Sequence, residues 1–399
     1  MLNRLHKFYT PTASQFGFRK GMSTDMAMRK AHNFLTEEPS LMCTLDLRAA
    51  FDTADKDQIW RQIEKATDTT PPEEKDDLRQ QLALFLDSTQ VRVVIGQRIS
   101  TKYFWQKFGV AQGGILSPAL FLMIMDTLVD KIRSHCLQKQ IGIIQYSLVL
   151  YADDVALTCR SWRALYCCLE ACSKWASQSG MRWAADKCYV VSHQATINDL
   201  LKLKGELRAP TLNGNPLTYS SDPIKYLGCL FTSKGFAAKE TLAIRVEAFI
   251  RCCYWLTNCD LFTPEDVSPW TLRHFFLQRC VSVLTYGCTL MDYKNRETLQ
   301  EQTITQARRI FGTHKCQADI LRELLAIPLP PGATMGDVYQ NRRAATKARA
   351  ARSRRNFNVS LQKWERLLNV KCSWTLFHFV AASRPLFTNE ADRKSFWAP

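Results

Sequence analysis

Ser147-Leu148-Val149-Leu150-Tyr151-Ala152-Asp153-Asp154-Val155-Ala156-Leu157-Thr158 decides how this chain reads. Two adjacent carboxylates stand between two apolar runs, and both runs read as short strands, so the acids fall at or near the tip of a hairpin. A tight hairpin usually turns on Asn-Gly or Asp-Gly, because those residues accept a positive φ. Asp-Asp serves that purpose poorly and serves a divalent cation well. A solvated turn explains the tetrapeptide alone equally well, so the weight falls on its surroundings. A third acid, Asp46, ends a separate strand, and a Gly113-Gly114 loop lies between the two in sequence.

Working outward, Leu41 to Leu47 alternates as a strand, with Leu41, Cys43 and Leu45 on one face and Met42, Thr44 and Asp46 on the other. Residues 1–40 are polar and basic, with one predicted helix over Ser23 to Leu35. A helix is expected to start near Arg48 or Asp55, and Leu78 to Asp87 reads as another. Gln90 to Gly96 and Ile99 to Phe108 read as a hairpin pair. Ser117 is a good N-cap and Pro118 suits the first helical position, so a helix is predicted over Ala119 to Arg133. After the Asp-Asp hairpin a helix is expected from Trp162 to Gln178, closed by Gly180, and Met181 to Ser192 reads as a strand. Strand, helix, helix, hairpin, helix, strand is an α+β plan with an antiparallel sheet. Beyond Phe236 the pattern is nearly all helical.

The chain has 399 residues, which implies two or three domains. Its net charge of +16 favours a polyanionic partner, nucleic acid first. The charge is uneven: from Gln300 to Pro399 there are 17 Lys and Arg against 7 Asp and Glu. The 15 cysteines show no Cys-x-x-Cys and no zinc-knuckle spacing, which predicts reduced, buried thiols in an intracellular protein. No apolar run approaches the length of a membrane span, so no membrane partner is expected.

These residues carry a family resemblance. Leu45-Asp46-Leu47-Arg48-Ala49-Ala50-Phe51-Asp52 resembles the first palm motif of reverse transcriptases, Gly109 to Pro118 the second and Tyr151-Ala152-Asp153-Asp154 the third. Gly180 to Lys187 resembles the fourth, and Tyr226-Leu227-Gly228-Cys229-Leu230-Phe231 the fifth. Gln15-Phe16-Gly17-Phe18-Arg19 matches the segment these enzymes carry just before the palm. Order and spacing agree throughout, and the nearest group is the non-LTR (LINE-type) retrotransposons. Leu272 to Leu290 and Ala307 to Leu329 resemble segments that follow the polymerase in that group.

The resemblance implies a right-hand polymerase of fingers, palm and thumb with an antiparallel palm sheet. Partial fingers and palm would occupy 1–232, a helical thumb and post-palm region 233–330, and a basic helical region 331–399. The fingers are expected to be cut short at the front, since only about a dozen residues precede Gln15. The implied activity is RNA-directed DNA synthesis on an RNA template, from a DNA primer 3′ end, with deoxynucleoside triphosphates. Asp46, Asp153 and Asp154 are implied ligands of two Mg²⁺ ions, with Mn²⁺ as the alternative metal, and the Leu47 carbonyl adds a further oxygen. Such ions stabilise the attacking and leaving oxygens of an in-line displacement at phosphorus. Gln112, Gly113 and Gly114 would let the backbone approach the template base and the nucleotide; the family's usual Pro is replaced by Ala111. Phe51 stands where an aromatic ring excludes a 2′-OH, and Lys187 where a lysine meets the triphosphate.

Arg342, Arg343, Lys347, Arg349, Arg352, Arg354 and Arg355 form a basic run with no acid between Val338 and Lys363. At helical spacing these cations surround the helix, which suits a phosphate backbone. Action on chromosomal DNA would make the protein nuclear. The rival reading is a catalytically silent RNA-binding relic that keeps the palm shape. A nucleotide cyclase sharing the palm topology accounts for neither the Gln112 loop nor the basic tail.

Overall fold

The structure, a computed structural model, describes residues 1–38, 40–192, 210–258 and 274–310. It divides between Ala237 and Ala238 into two units.

In the first unit, helix α1 (Leu2–Phe8) precedes α2 (Thr24–Glu37), whose N-cap Ser23 accepts a hydrogen bond from the Met26 amide. Strand β1 (Leu41–Leu45) follows, then the single turn α3 (Ala50–Thr53), α4 (Lys56–Ala66) and α5 (Pro72–Leu86). Next comes an exposed hairpin of two-residue ladders. Its strands β2 (Gln90–Val91) and β5 (Phe104–Trp105) pair outside β3 (Val94–Ile95) and β4 (Arg98–Ile99). Helix α6 (Ser117–Gln138) leads to β6 (Tyr146–Tyr151) and β7 (Asp154–Cys159), then α7 (Trp162–Ser179) and β8 (Tyr189–Ser192). Short strands complete the unit: β9 (Thr211–Leu212), β10 (Asn215–Pro216), β11 (Thr218–Tyr219), β12 (Ile224–Tyr226), β13 (Cys229–Thr232) and β14 (Gly235–Phe236).

The principal sheet runs β11-β8-β1-β7-β6. Its four main strands pair antiparallel, as the α+β plan requires, and β11 adds a short parallel edge. Every residue of β1 is buried, because both faces of the sheet are covered. Leu41, Cys43 and Leu45 join the core formed with α6 and α7, where Leu120, Ile124, Leu128, Leu165 and Leu169 are almost fully enclosed. Each such side chain contributes roughly 1.5–3 kcal/mol by leaving water. Met42 and Val191 are buried on the opposite face. Trp175 and Trp183 lie 5.7 Å apart, and their indole N–H groups are satisfied by the Thr127 hydroxyl and the Cys172 carbonyl.

Several local expectations are corrected. The strand expected to reach Leu47 ends at Leu45, with Leu47 making only an isolated bridge to Trp183. Met181 to Ser192 is not one strand: Ala185–Lys187 is a 3-10 turn and only Tyr189–Ser192 joins the sheet. Ser117 lies inside α6 rather than capping it, and its hydroxyl donates to the Ala111 carbonyl at 2.6 Å. That helix runs on to Gln138, past the expected Arg133. Gly180 closes α7 with φ +70°, as expected.

In the second unit the described segments are helical. Ala238–Asn258 buries Phe249, Cys253 and Leu256. Phe276–Val281 is wound as a π-helix and continues into Ser282–Thr285, and Tyr293–Ile310 follows. Phe249 and Phe276 face each other at 6.2 Å. Among the described residues no helix is long and apolar enough to cross a membrane, and every cysteine is a free thiol, all buried except Cys252.

Candidate active site

The acidic hairpin is a two-residue turn. Tyr151 pairs with Asp154, leaving Ala152 and Asp153 at the tip. Ala152 takes φ +57°, the left-handed value that the first turn residue of a tight hairpin needs and that glycine normally supplies. Strand β1 runs beside β7 with Leu45 opposite Val155. Continued past the ladder, this register sets Asp46 across from Asp154 and Leu47 across from Asp153. Asp46 thus meets two carboxylates far from it in sequence, at the ends of neighbouring strands.

The backbone around Asp46 is fixed from its other side. The Ala184 amide donates to the Asp46 carbonyl, and the Arg48 amide donates to the Arg182 carbonyl, both at 2.8 Å. In an extended chain peptide groups alternate in direction, so the Leu47 carbonyl turns toward the hairpin. The Asp46 amide donates to the Cys188 sulfur at 3.4 Å. Cys188 therefore helps to seat a site residue, a role no sequence motif signals.

Electrostatics mark the cluster. Burial pushes the Asp153 carboxyl above the ordinary range, and the Asp46 charge adds to the rise. Asp154 is pushed up to about 6, first by burial, then by the charges of Asp153 and Asp46, with Lys225 opposing. Asp154 is nonetheless exposed at the start of β7, where solvent screens these charges. Lys187 Nζ lies 3.7 Å from Asp46 Oδ2 at the exposed rim. Arg48 and Asp186 pair beside it at 2.9 Å. Lys225, just before the fifth motif, escaped the sequence reading, although a cation flanking that motif was visible there.

These residues fit a divalent cation. The donors are hard oxygens, and their mutual repulsion in partly desolvated surroundings is the charge imbalance a cation relieves. Among the described residues no three acid, imidazole or thiol groups close a metal cage by themselves.

Phe51 sits on α3, half-buried, stacked on the fully buried Phe121 at 4.5 Å and 21°. Phe18, 54% exposed and strained at φ +53°, meets the edge of its ring at 6.4 Å. The Gly109 and Val110 amides donate to the Ala54 and Phe51 carbonyls, joining α3 to the glycine loop. Gln112 Nε2 reaches Asp52 Oδ1 at 3.3 Å. Gly113 takes φ +82° over open space. A Cβ on Gly114 would stand 2.6 Å from the Ser117 hydroxyl, so part of the glycine requirement is internal to the loop. Asp46 and Leu47 thus lie on the β1–α3 connection, Phe51 on α3, Gln112 on the loop joined to it, Asp153 and Asp154 at the β6–β7 turn, and Lys187 in the 3-10 turn before β8. Arg342, Arg343, Lys347, Arg349, Arg352, Arg354 and Arg355 lie outside the described residues, as does the whole 331–399 region.

Residues 1–231 match the reverse transcriptase (RNA-dependent DNA polymerase) family. A stretch of 147 residues is 29% identical to the retrovirus-related Pol polyprotein from the type-2 retrotransposable element R2DM of Drosophila melanogaster. It covers 35% of this chain and 13% of that protein, so the chain corresponds to a small part of its curated relative. Among solved structures, apo telomerase from Candida tropicalis is similar with a TM-score of 0.43 and 12% identity, over 86% of this chain and 57% of that one. Telomerase from the same organism in complex with the TWJ fragment of telomeric RNA gives 0.44 and 13%, over 86% and 55%. The chain belongs to the reverse transcriptase family.

Proposed function

We propose that this chain is the catalytic core of an RNA-directed DNA polymerase of a non-LTR retrotransposon, extending a primer 3′ end with deoxynucleotides along an RNA template. The meeting of Asp46 with the Asp153-Asp154 turn, in a chain of this family, carries the reading. The primer 3′ oxygen loses its proton and bonds to the α-phosphorus of the nucleotide. The bond to the bridging oxygen breaks, and pyrophosphate leaves.

Asp46 and Asp153 would hold two divalent cations, Mg²⁺ or Mn²⁺, with Asp154 and the Leu47 carbonyl assisting. When bound, such ions supply charge stabilisation to the attacking and leaving oxygens. Lys187, at the rim, donates a proton to the departing pyrophosphate or offsets its charge. Phe51, held rigid on Phe121, stands beneath the sugar and excludes a 2′-OH by steric overlap. Gln112 and the glycines beside it present backbone to the template base and the nucleotide. The arginines between Arg342 and Arg355, with Lys347, hold phosphate backbone without reading sequence. Work on chromosomal DNA places the protein in the nucleus, where reduced thiols are stable.

Primer extension on a poly(rA) template tests the reading, with purified chain, oligo(dT), dTTP and Mg²⁺. Template-dependent extension that chelation abolishes supports it. RNA binding without extension, under any divalent cation, would assign the chain to the silent relic.

A further inference from the structure

The turn that carries Asp153 and Asp154 is not held by its own sequence. Its tip has alanine in a left-handed conformation, where a Cβ is disfavoured. A fully buried side chain 137 residues away grips it. Gln15 Oε1 accepts the Ala152 amide at 2.9 Å, and Gln15 Nε2 donates to the Ala152 carbonyl at 3.3 Å. The same Oε1 accepts the Gly17 amide at 2.9 Å. Around this grip the segment lies along the sheet edge: the Phe16 amide donates to the Leu150 carbonyl and the Leu150 amide to the Ser14 carbonyl. Arg19 ties the Gln15 and Thr12 carbonyls from outside. A Cβ on Gly17 would stand 2.4 Å from the Ala152 nitrogen, so only glycine allows the approach.

We infer that Gln15 is a positioning residue for the carboxylate turn, its amide fixing both peptide groups of Ala152 and so the direction in which Asp153 and Asp154 project. A neutral amide suits this work because it offers one acceptor and one donor about 2 Å apart. A carboxylate lacks the donor, and an apolar side chain of equal volume lacks both. Burial matters as well. A buried amide whose partner is removed stays unsatisfied, so the turn must open to recover a hydrogen bond. The carboxylates repel one another, and a loosened turn would let them separate. The catalytic consequence rests on the polymerase reading; the grip itself does not.

The test uses the full chain in three forms: parent, Gln15→Met, and Gln15→Met with Ala152→Gly. Methionine keeps the volume and removes both hydrogen bonds. Amide hydrogen exchange is followed by mass spectrometry on overlapping peptides across Tyr146–Cys159. The grip predicts slow exchange at Ala152 in the parent and exchange at least about tenfold faster in Gln15→Met, with the inner amides of the two flanking strands unchanged. Primer extension should then show kcat lowered about tenfold or more, with the KM for dTTP within about twofold. Glycine at position 152, at ease at positive φ, should restore several-fold of the lost rate. Unchanged exchange at Ala152 overturns the proposal, and so does equal acceleration across both strands, which would make Gln15 a general core residue. A loosened turn with undiminished kcat overturns the positioning role. If the parent fails to extend primers, the polymerase reading fails while the exchange arm still decides the grip.

Discussion

The Lys187 ammonium stands 3.7 Å from the Asp46 carboxylate, on the exposed side of the acidic cluster. Its side chain is 68% exposed, so the pair adds little to stability. Lys187→Ala should therefore leave the thermal midpoint within about 1 °C and lower kcat about 10²- to 10⁴-fold, the usual scale for losing a positioned proton donor. Thermal unfolding and single-turnover kinetics check this together. A large fall in the midpoint would make Lys187 structural.

The raised pKa values of Asp153 and Asp154 predict a pH dependence with a definite sign. An acid whose pKa is higher in the folded protein binds protons more tightly there, so its favourable contribution is complete at low pH and is lost as pH rises through the folded value. For Asp154 the loss should occur between about pH 4 and 6. Asp154→Asn should accordingly be more stable than the parent at pH 7.5, by about 1 kcal/mol after allowance for solvent screening, and no more stable near pH 4. Urea unfolding at the two pH values measures it. Added Mn²⁺ should raise the parent's midpoint more at pH 7.5 than at pH 5, because the ligands must first lose their protons.

Phe51 has two jobs in this account, and one substitution separates them. Phe51→Val removes the stack on Phe121, which should cost about 1–2 kcal/mol in denaturant unfolding. It should also admit ribonucleotides in single-nucleotide addition with modest loss of deoxynucleotide incorporation. Lost stability with an unchanged deoxy-to-ribo ratio would leave Phe51 a packing residue.

The basic run beyond Arg342 is expected to bind nucleic acid through counterion release, with affinity falling steeply as salt rises. Changing Arg349, Arg352, Arg354 and Arg355 together to Ala should flatten the slope of log affinity against log salt by about 3–4 on duplex and somewhat less on single strands. Fluorescence anisotropy across a salt series reads it directly, and an unchanged slope would make the run a solvated surface.

The carboxylates were legible because each lies at the end of a short apolar strand with its own local pattern. Their meeting was not, since it depends on β1 entering the sheet between β7 and β8, a long-range pairing with no local signature. The grip of Gln15 on Ala152 was hidden for the same reason: the motif around Gln15 was visible and its partner was not. Helix α1 was missed because its short run buries only Leu5. The expected strand over Met181 to Ser192 failed where tertiary context won. Its first half forms the Leu47–Trp183 bridge and a 3-10 turn that seat Asp46.

On the polymerase reading, Asp46 and the Asp153-Asp154 turn form one catalytic centre. Primer extension by the parent and by Asp153→Ala tests it most directly, with circular dichroism showing that both are folded. Removing the carboxylate takes charge stabilisation from the transition state and little from the core, so the account predicts a loss of at least about 10³-fold in rate with the spectrum unchanged. Extension by Asp153→Ala at a rate close to the parent's would contradict it.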